Sequence, residues 1–230
     1  MNNLLTQYID LEEISALAFF FVSWLSYSFY SSRANRHENS LLALTNRYRL
    51  QWMYQMLKRD NRMIDATMVG NLMRSITFFA STTIFFVLGL MTMLGYHDHA
   101  AQIISAIPFA KPTTSLMFEV KIFLLVLIFI YAFFKYTWSL RQYNFACIFL
   151  VAAPAHNERL GEHDLIAKRG AYLVESAAEH FNNGLRAYYF GLAALAWFIH
   201  PKLFVAATVW VIMVTYRREF RSRTLKHLRS

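Results

Sequence analysis

Long apolar runs alternate with polar, basic segments along this chain, and the length of the runs is the first signal. ISALAFFFVSWLSYSFY (14–30), ITFFASTTIFFVLGLMTML (76–94) and LMFEVKIFLLVLIFIYAFF (116–134) are each 17–19 residues long, close to the ~20 that carry a helix across a hydrocarbon core. A fourth apolar region is split. AYYFGLAALAWFI and LFVAATVWVIMVTY flank His200, Pro201 and Lys202, and these legs hold only 13 and 14 residues. Proline disfavours a continuous helix, so the three residues between the legs predict a tight turn. The hairpin either spans, with interfacial residues extending each leg, or re-enters. The pattern predicts spans at 14–30, 74–95, 116–135, 186–200 and 202–217.

The polar segments between the runs also carry helical periodicity. Leu41, Leu44, Tyr48, Trp52, Gln55 and Met56 recur at three and four, one apolar stripe of a helix within 38–60. Asn39 or Ser40 suits its N-cap, and Asp60-Asn61 suits a turn after it. A second stripe, Leu173, Ala177, Phe181, Leu185 and Tyr188, predicts a helix over 163–185 that leads to the fourth span. In FFKYTWSLRQYNFACIFLV, residues 133–151, Lys135, Tyr136 and Trp138 are typical interface anchors. Nothing breaks the helix there before Pro154, so a further helix is expected over 136–153. The expected fold is all-α: a polytopic helical membrane protein of about five spans, forming a single membrane domain over 1–230, with the three polar helices as a cytosolic collar.

Charge orients this layout. The first run is preceded by Asp10, Glu12 and Glu13 and followed by Arg33 and Arg36, the reverse of a signal peptide. A retained anchor with its N-terminus outside is expected. On that orientation the inner segments 31–68, 135–186 and 217–230 hold 19 of the 23 Lys and Arg, and the outer ones hold only Lys111 and Lys202. This positive-inside bias predicts an inner (cytoplasmic) membrane protein with its C-terminus in the cytoplasm. It also accounts for the net charge of +9 through topology and lipid headgroups, without a nucleic-acid partner. Cys147 is the only cysteine, so no intrachain disulfide forms.

DATMVGNLMRSITFFASTTIFFVLGL, FFKYTWSLRQYNF, NNGLRAYYFGLAALAWF and YRREF together resemble the bacterial branch of the uncharacterised membrane family called domain of unknown function five-nine-nine. The likeness runs from about Ser40 to Phe220. It implies a multi-pass membrane protein of a kind also found in plants. It transfers no activity and no site residue.

Candidate chemistry is sparse. His97-Asp98-His99 offers three adjacent groups and no fourth ligand, and it reads as solvated loop. HNERLGEHD, residues 156–164, matches no zinc spacing. No nucleophile triad, paired carboxylates, phosphate loop or dinucleotide fingerprint is present, so no catalytic residue, metal or cofactor is expected. What stands out is polar groups at the inner ends of spans. Asn71 and Arg74 share a helix face, as do Trp138, Arg141 and Asn144, while Asn182 and Asn183 precede Arg186. Charge at such depth marks partners or pathways. These residues suggest an oligomeric channel or transporter-like protein for a small, anionic solute. The alternatives are a non-catalytic membrane subunit or scaffold for a partner complex, or a lipid- or quinone-binding protein. The expected partners are membrane lipids and further copies of the chain, because Ala80–Thr83 and the pair Ala187 and Gly191 are small residues of the kind that let helices approach.

Overall fold

The computed structural model describes residues 11–36, 40–96, 111, 114–154 and 163–229. They form α1 (Leu11–Arg36), α2 (Leu41–Leu57), α3 (Met63–Gly95), α4 (Ser115–Ala152), α5 (His163–Leu195), a 3-10 turn (Ala196–Phe198), α6 (Pro201–Phe220) and α7 (Arg223–Arg229), with no strand among the described residues. Three helices contain stretches long and apolar enough to cross a membrane: Leu11–Arg33, Met63–Gly95 and Ser115–Ala152. The two hairpin legs fall on the end of α5 and on α6. Neither is among those three, because each uninterrupted apolar stretch is too short.

Local chemistry starts and stops these helices. Ser40 is extended at φ −110° and ψ 162°, and its hydroxyl accepts from the Ala43 amide at 3.0 Å, satisfying one of the orphan donors of α2. Asn61 Oδ1 accepts from Met63 N at 2.9 Å and opens α3. Pro201 is the first residue of α6, where its missing N–H costs nothing. The turn expected at His200 is therefore present, with His200 Nδ1 accepting from Lys202 N. On the exposed faces of α3, Thr67, Thr77, Thr82 and Thr92 return their hydroxyls to the carbonyl four residues back, so they present no open donor to lipid.

The chain packs as two units made of interleaved segments. The first comprises Met1–Arg33, Thr83–Tyr131 and Arg186–Arg218. Its core is aromatic: Phe20, Phe190 and Phe204 are fully buried, and Trp197 nearly so. Trp24 stacks on Phe190 at 5.3 Å and Trp197 on Phe204 at 5.0 Å. A second cluster packs Phe118, Ile122 and Val126 of α4 against Val87, Leu90 and Leu94 of α3. Ala187 and Gly191 are spent inside this unit. Ala187 is fully buried, and a Cβ on Gly191 would touch Phe129 at 3.4 Å and Ile128 at 3.5 Å. This small-residue pair serves packing within the chain, not between copies.

The second unit comprises Ala34–Thr82, Ala132–Leu185 and Glu219–Ser230. Here α4 buries Ala132, Tyr136, Ser139, Tyr143, Ala146 and Leu150, an inner seam with strict 4-3-4-3-4 spacing. α5 meets it through small residues. A Cβ on Gly184 would lie 2.5 Å from the Tyr136 ring, and one on Gly170 would lie 2.8 Å from Phe149 and 2.9 Å from Met53. Ser139 Oγ donates to Ala177 O at 2.6 Å and fixes the helix register. Both sequence-derived stripes need correction. On α2 the buried positions are Leu42, Ala43, Met53, Met56 and Leu57; of the expected stripe Met56 is buried, Leu41, Leu44 and Trp52 are half-buried, and Tyr48 and Gln55 are exposed. On α5 the buried face is Ala167, Gly170, Ala171, Val174, Ala177 and Ala178. The large residues Leu173, Phe181 and Leu185 flank it, because the close approach to α4 leaves room only for small side chains.

Candidate functional site

Two buried polar clusters lie in the first unit, toward opposite ends of α1. The first joins three elements. Glu13 sits in the first turn of α1, Lys121 two turns into α4, and Trp197 in the 3-10 turn. Lys121 Nζ lies 3.2 Å from Glu13 Oε1, with side-chain exposures of 1% and 6%. Trp197 Nε1 donates to Glu13 Oε2, and the ammonium stands 5.4 Å from the Trp197 ring centroid. Both carboxylate oxygens thus have partners, which a buried charge requires. A cavity of about 130 Å³ adjoins the cluster, walled by Glu13, Leu17, Met117, Val120 and Trp197. Nearby, Glu12 receives Lys111 at 3.1 Å and Lys202 at 3.6 Å.

The second cluster centres on Arg186 of α5, the one buried arginine among the described residues. Its guanidinium donates to Ser31 Oγ at 2.6 Å and lies 5.8 Å from the Tyr27 ring. Ser31 is fully buried. Glu13 and Ser31 are 18 positions apart on α1, about 27 Å of helix. Phe20 and Trp24 lie between them on α1, and Phe20 packs against Phe190 of α5 and Phe204 of α6, so charge, aromatic core and charge follow one another along α1.

The residues singled out from sequence scatter differently. Asn71 and Arg74 are exposed, and Arg74 donates to Asn71 on its own helix. Arg141 is exposed and lies over the rings of Trp138 and Phe145, also on its own helix. Asn144 is exposed, and Asn182 and Asn183 are half-buried. Within the single chain the packed arginine is therefore Arg186, not Arg141. His97, Asp98, His99, His156, Glu158 and Glu162 lie outside the described residues. Glu13, Lys121, Trp197 and Ser31 were missed by sequence reasoning. A signal was present: Lys121 is one of only two charges inside the run 116–134, and a charge in such a run calls for a buried partner.

The second unit holds its own paired charges. Asp65 is fully buried and accepts from Arg59 at 2.7 Å and Trp52 Nε1 at 2.6 Å. Arg62 donates to the carbonyls of Leu150, Ala153 and Pro154 at 3.0, 2.7 and 2.6 Å, capping the end of α4. Asn46 donates to Glu175, and Arg49 to Asn46. Burial raises the Glu175 carboxyl above its ordinary range, while nearby Arg49 draws it back. Burial holds the His180 imidazole below its ordinary value, Lys135 pushes it further down and Glu179 opposes both.

No curated protein and no solved structure matches the chain. The family described as protein of unknown function, DUF599, matches residues 15–224. With apolar helices of membrane length and a family match over nearly its whole length, the chain belongs to the DUF599 family.

Proposed function

We propose that this is a multi-pass protein of the bacterial inner membrane, with its N-terminus outside and its C-terminus in the cytoplasm, which assembles with further copies of itself and passes a small anionic solute. One observation carries the reading: buried charged clusters stand toward both ends of α1, holding the cations Lys121 and Arg186. Charge within a membrane helix is costly, and it persists where it pairs or lines a pathway. Cations at successive depths suit an anion. The aromatic core between the clusters makes this a closed arrangement, so passage requires Phe20, Trp24 and Phe190 to part or a route between copies. The bias of 19 of 23 basic residues toward one side supports the orientation. The test is anion flux into liposomes carrying the purified protein, with chloride, nitrate, phosphate and small carboxylates in turn. The parent protein moves at least one of them, and Arg186→Gln, still folded by circular dichroism, moves it at least tenfold more slowly. A parent protein that moves none of them overturns the reading.

A second reading, a non-catalytic subunit that docks a partner complex, has its own support. Arg59 and Asp65 are locked together, and Arg49 sits beside Glu175, so these charges act as framework. Ile148, Val151 and Tyr172 are exposed on the same unit. A defined membrane complex that co-purifies with the chain, and is lost on Val151→Glu, would favour it.

A further inference from the structure

On α4 the inner seam of Tyr136, Ser139, Tyr143 and Ala146 is fixed by its fit to α5, through the Ser139–Ala177 hydrogen bond and the Gly184–Tyr136 contact. That lock decides what the opposite face presents. Trp138, Arg141 and Phe145 follow one another at three and four residues, and all three are exposed. The Arg141 guanidinium carbon lies 5.3 Å from the Trp138 ring centroid and 5.6 Å from that of Phe145. Trp138 in turn meets the ring of His180 on α5 in a T-shaped contact, with centroids 6.1 Å apart. Ring contacts of this kind attract the cation through the aromatic quadrupole and use none of its N–H donors. Among the described residues Arg141 makes no hydrogen bond and no ion pair. A planar five-donor fork is therefore pre-stacked, aimed outward and unspent. Asn144, exposed three residues on, adds an amide on the same side.

We infer that Trp138, Arg141 and Phe145 form a binding site for the phosphate of an anionic phospholipid headgroup, with Arg141 as the phosphate ligand and the two rings bracketing it. Charge complementarity selects the phosphate, since a guanidinium fork matches its oxygens bidentately. Position selects the lipid as its source. The rung begins at Trp138, four residues or about 6 Å of helix after the apolar run Leu116–Phe134 ends, which is headgroup depth, and Trp is of the type that settles there. An exposed Trp and Phe beside the cation offer glycerol and upper-chain contact that a free phosphate ion cannot use. This inference does not depend on transport.

Native mass spectrometry of the full-length protein in detergent, titrated with phosphatidylglycerol, phosphatidylcholine or inorganic phosphate, tests it. The parent retains phosphatidylglycerol in preference to phosphatidylcholine, and inorganic phosphate at equal concentration does not displace it. Arg141→Gln lowers retention about tenfold, the scale of a lost charged hydrogen bond. Arg141→Lys falls between the two, because a point charge cannot bind bidentately. Trp138→Leu lowers retention, and Trp138→Phe, which keeps a ring beside the guanidinium and His180, lowers it less. Equal retention by the parent and Arg141→Gln overturns the site. Equal retention of the two lipids reduces it to apolar contact and also overturns it. Displacement by inorganic phosphate overturns the lipid as its source.

Discussion

Glu13 and Lys121 leave water together, and neither can leave it alone. Their 3.2 Å contact and near-complete burial mean that removing one partner strands the other in a medium that solvates it poorly. Lys121→Met is expected to cost about 3–5 kcal/mol, the usual range for breaking a buried pair. The double variant Glu13→Leu with Lys121→Met restores most of that, since an apolar pair of similar volume is often neutral. Thermal melts of the single and double variants in one detergent check this, and a double variant no more stable than the single would argue against a closed pair. At this scale the sequence was only half legible. A lysine in an apolar run announces a need for a partner but does not say which of several carboxylates supplies it. The pairing is made across 108 positions and rests on how the helices pack.

Helices were read well as spans of residues and less well as faces. The continuation of α4 past Lys135, the Ser40 cap and the turn at His200 all follow from local chemistry, and each is present. The inner edge of the α2 stripe, at Leu42, Ala43 and Met53, and the small-residue face of α5 were not readable, because large residues flank a seam whose occupants are set by how closely the helices approach. Two predictions belong here. Arg62 ends α4 by binding three carbonyls, so Arg62→Ala is expected to destabilise the protein by about 1–3 kcal/mol. Amide exchange should then rise first at the C-terminal turn of α4; unchanged protection there would count against a capping role. The second concerns His180 on α5. Its ionisation is held low in the folded state by burial and by Lys135, with Glu179 opposing. It therefore contributes stability that is present above its ordinary value and lost as pH falls through the folded one. Glu175, raised by burial, works in the opposite sense and favours the fold toward acid. His180→Gln is expected to lose less melting temperature than the parent between about pH 7 and 5, the window of histidine titration. A parallel loss would show that other groups govern the acid limb.

For the molecule as a whole, orientation is the property most open to direct test. In a Cys147→Ser background, cysteines placed at Asn2 and His97 are expected to react with an impermeant thiol reagent in intact cells, and one at Ser230 is not. Labelling at 230 would overturn the proposed orientation. Membrane character was legible because it is written into run length, and the family because its strings cover nearly the whole chain. The organisation into two packing units was not, since each draws on three separated segments and no linker marks a division.

The separation of Glu13 from Lys121 has a consequence during synthesis. A ribosome adding roughly 5–20 residues per second needs about 5–20 s to make the 108 positions between them. For that interval the first helix carries a carboxylate whose permanent counter-charge does not yet exist. Until then Glu13 must wait at the water boundary or in the care of the insertion machinery, and the first helix settles only when the lysine arrives. Nascent chains that stop short of Lys121 are therefore expected to be cleared rapidly by membrane proteases, and Glu13→Gln should spare them.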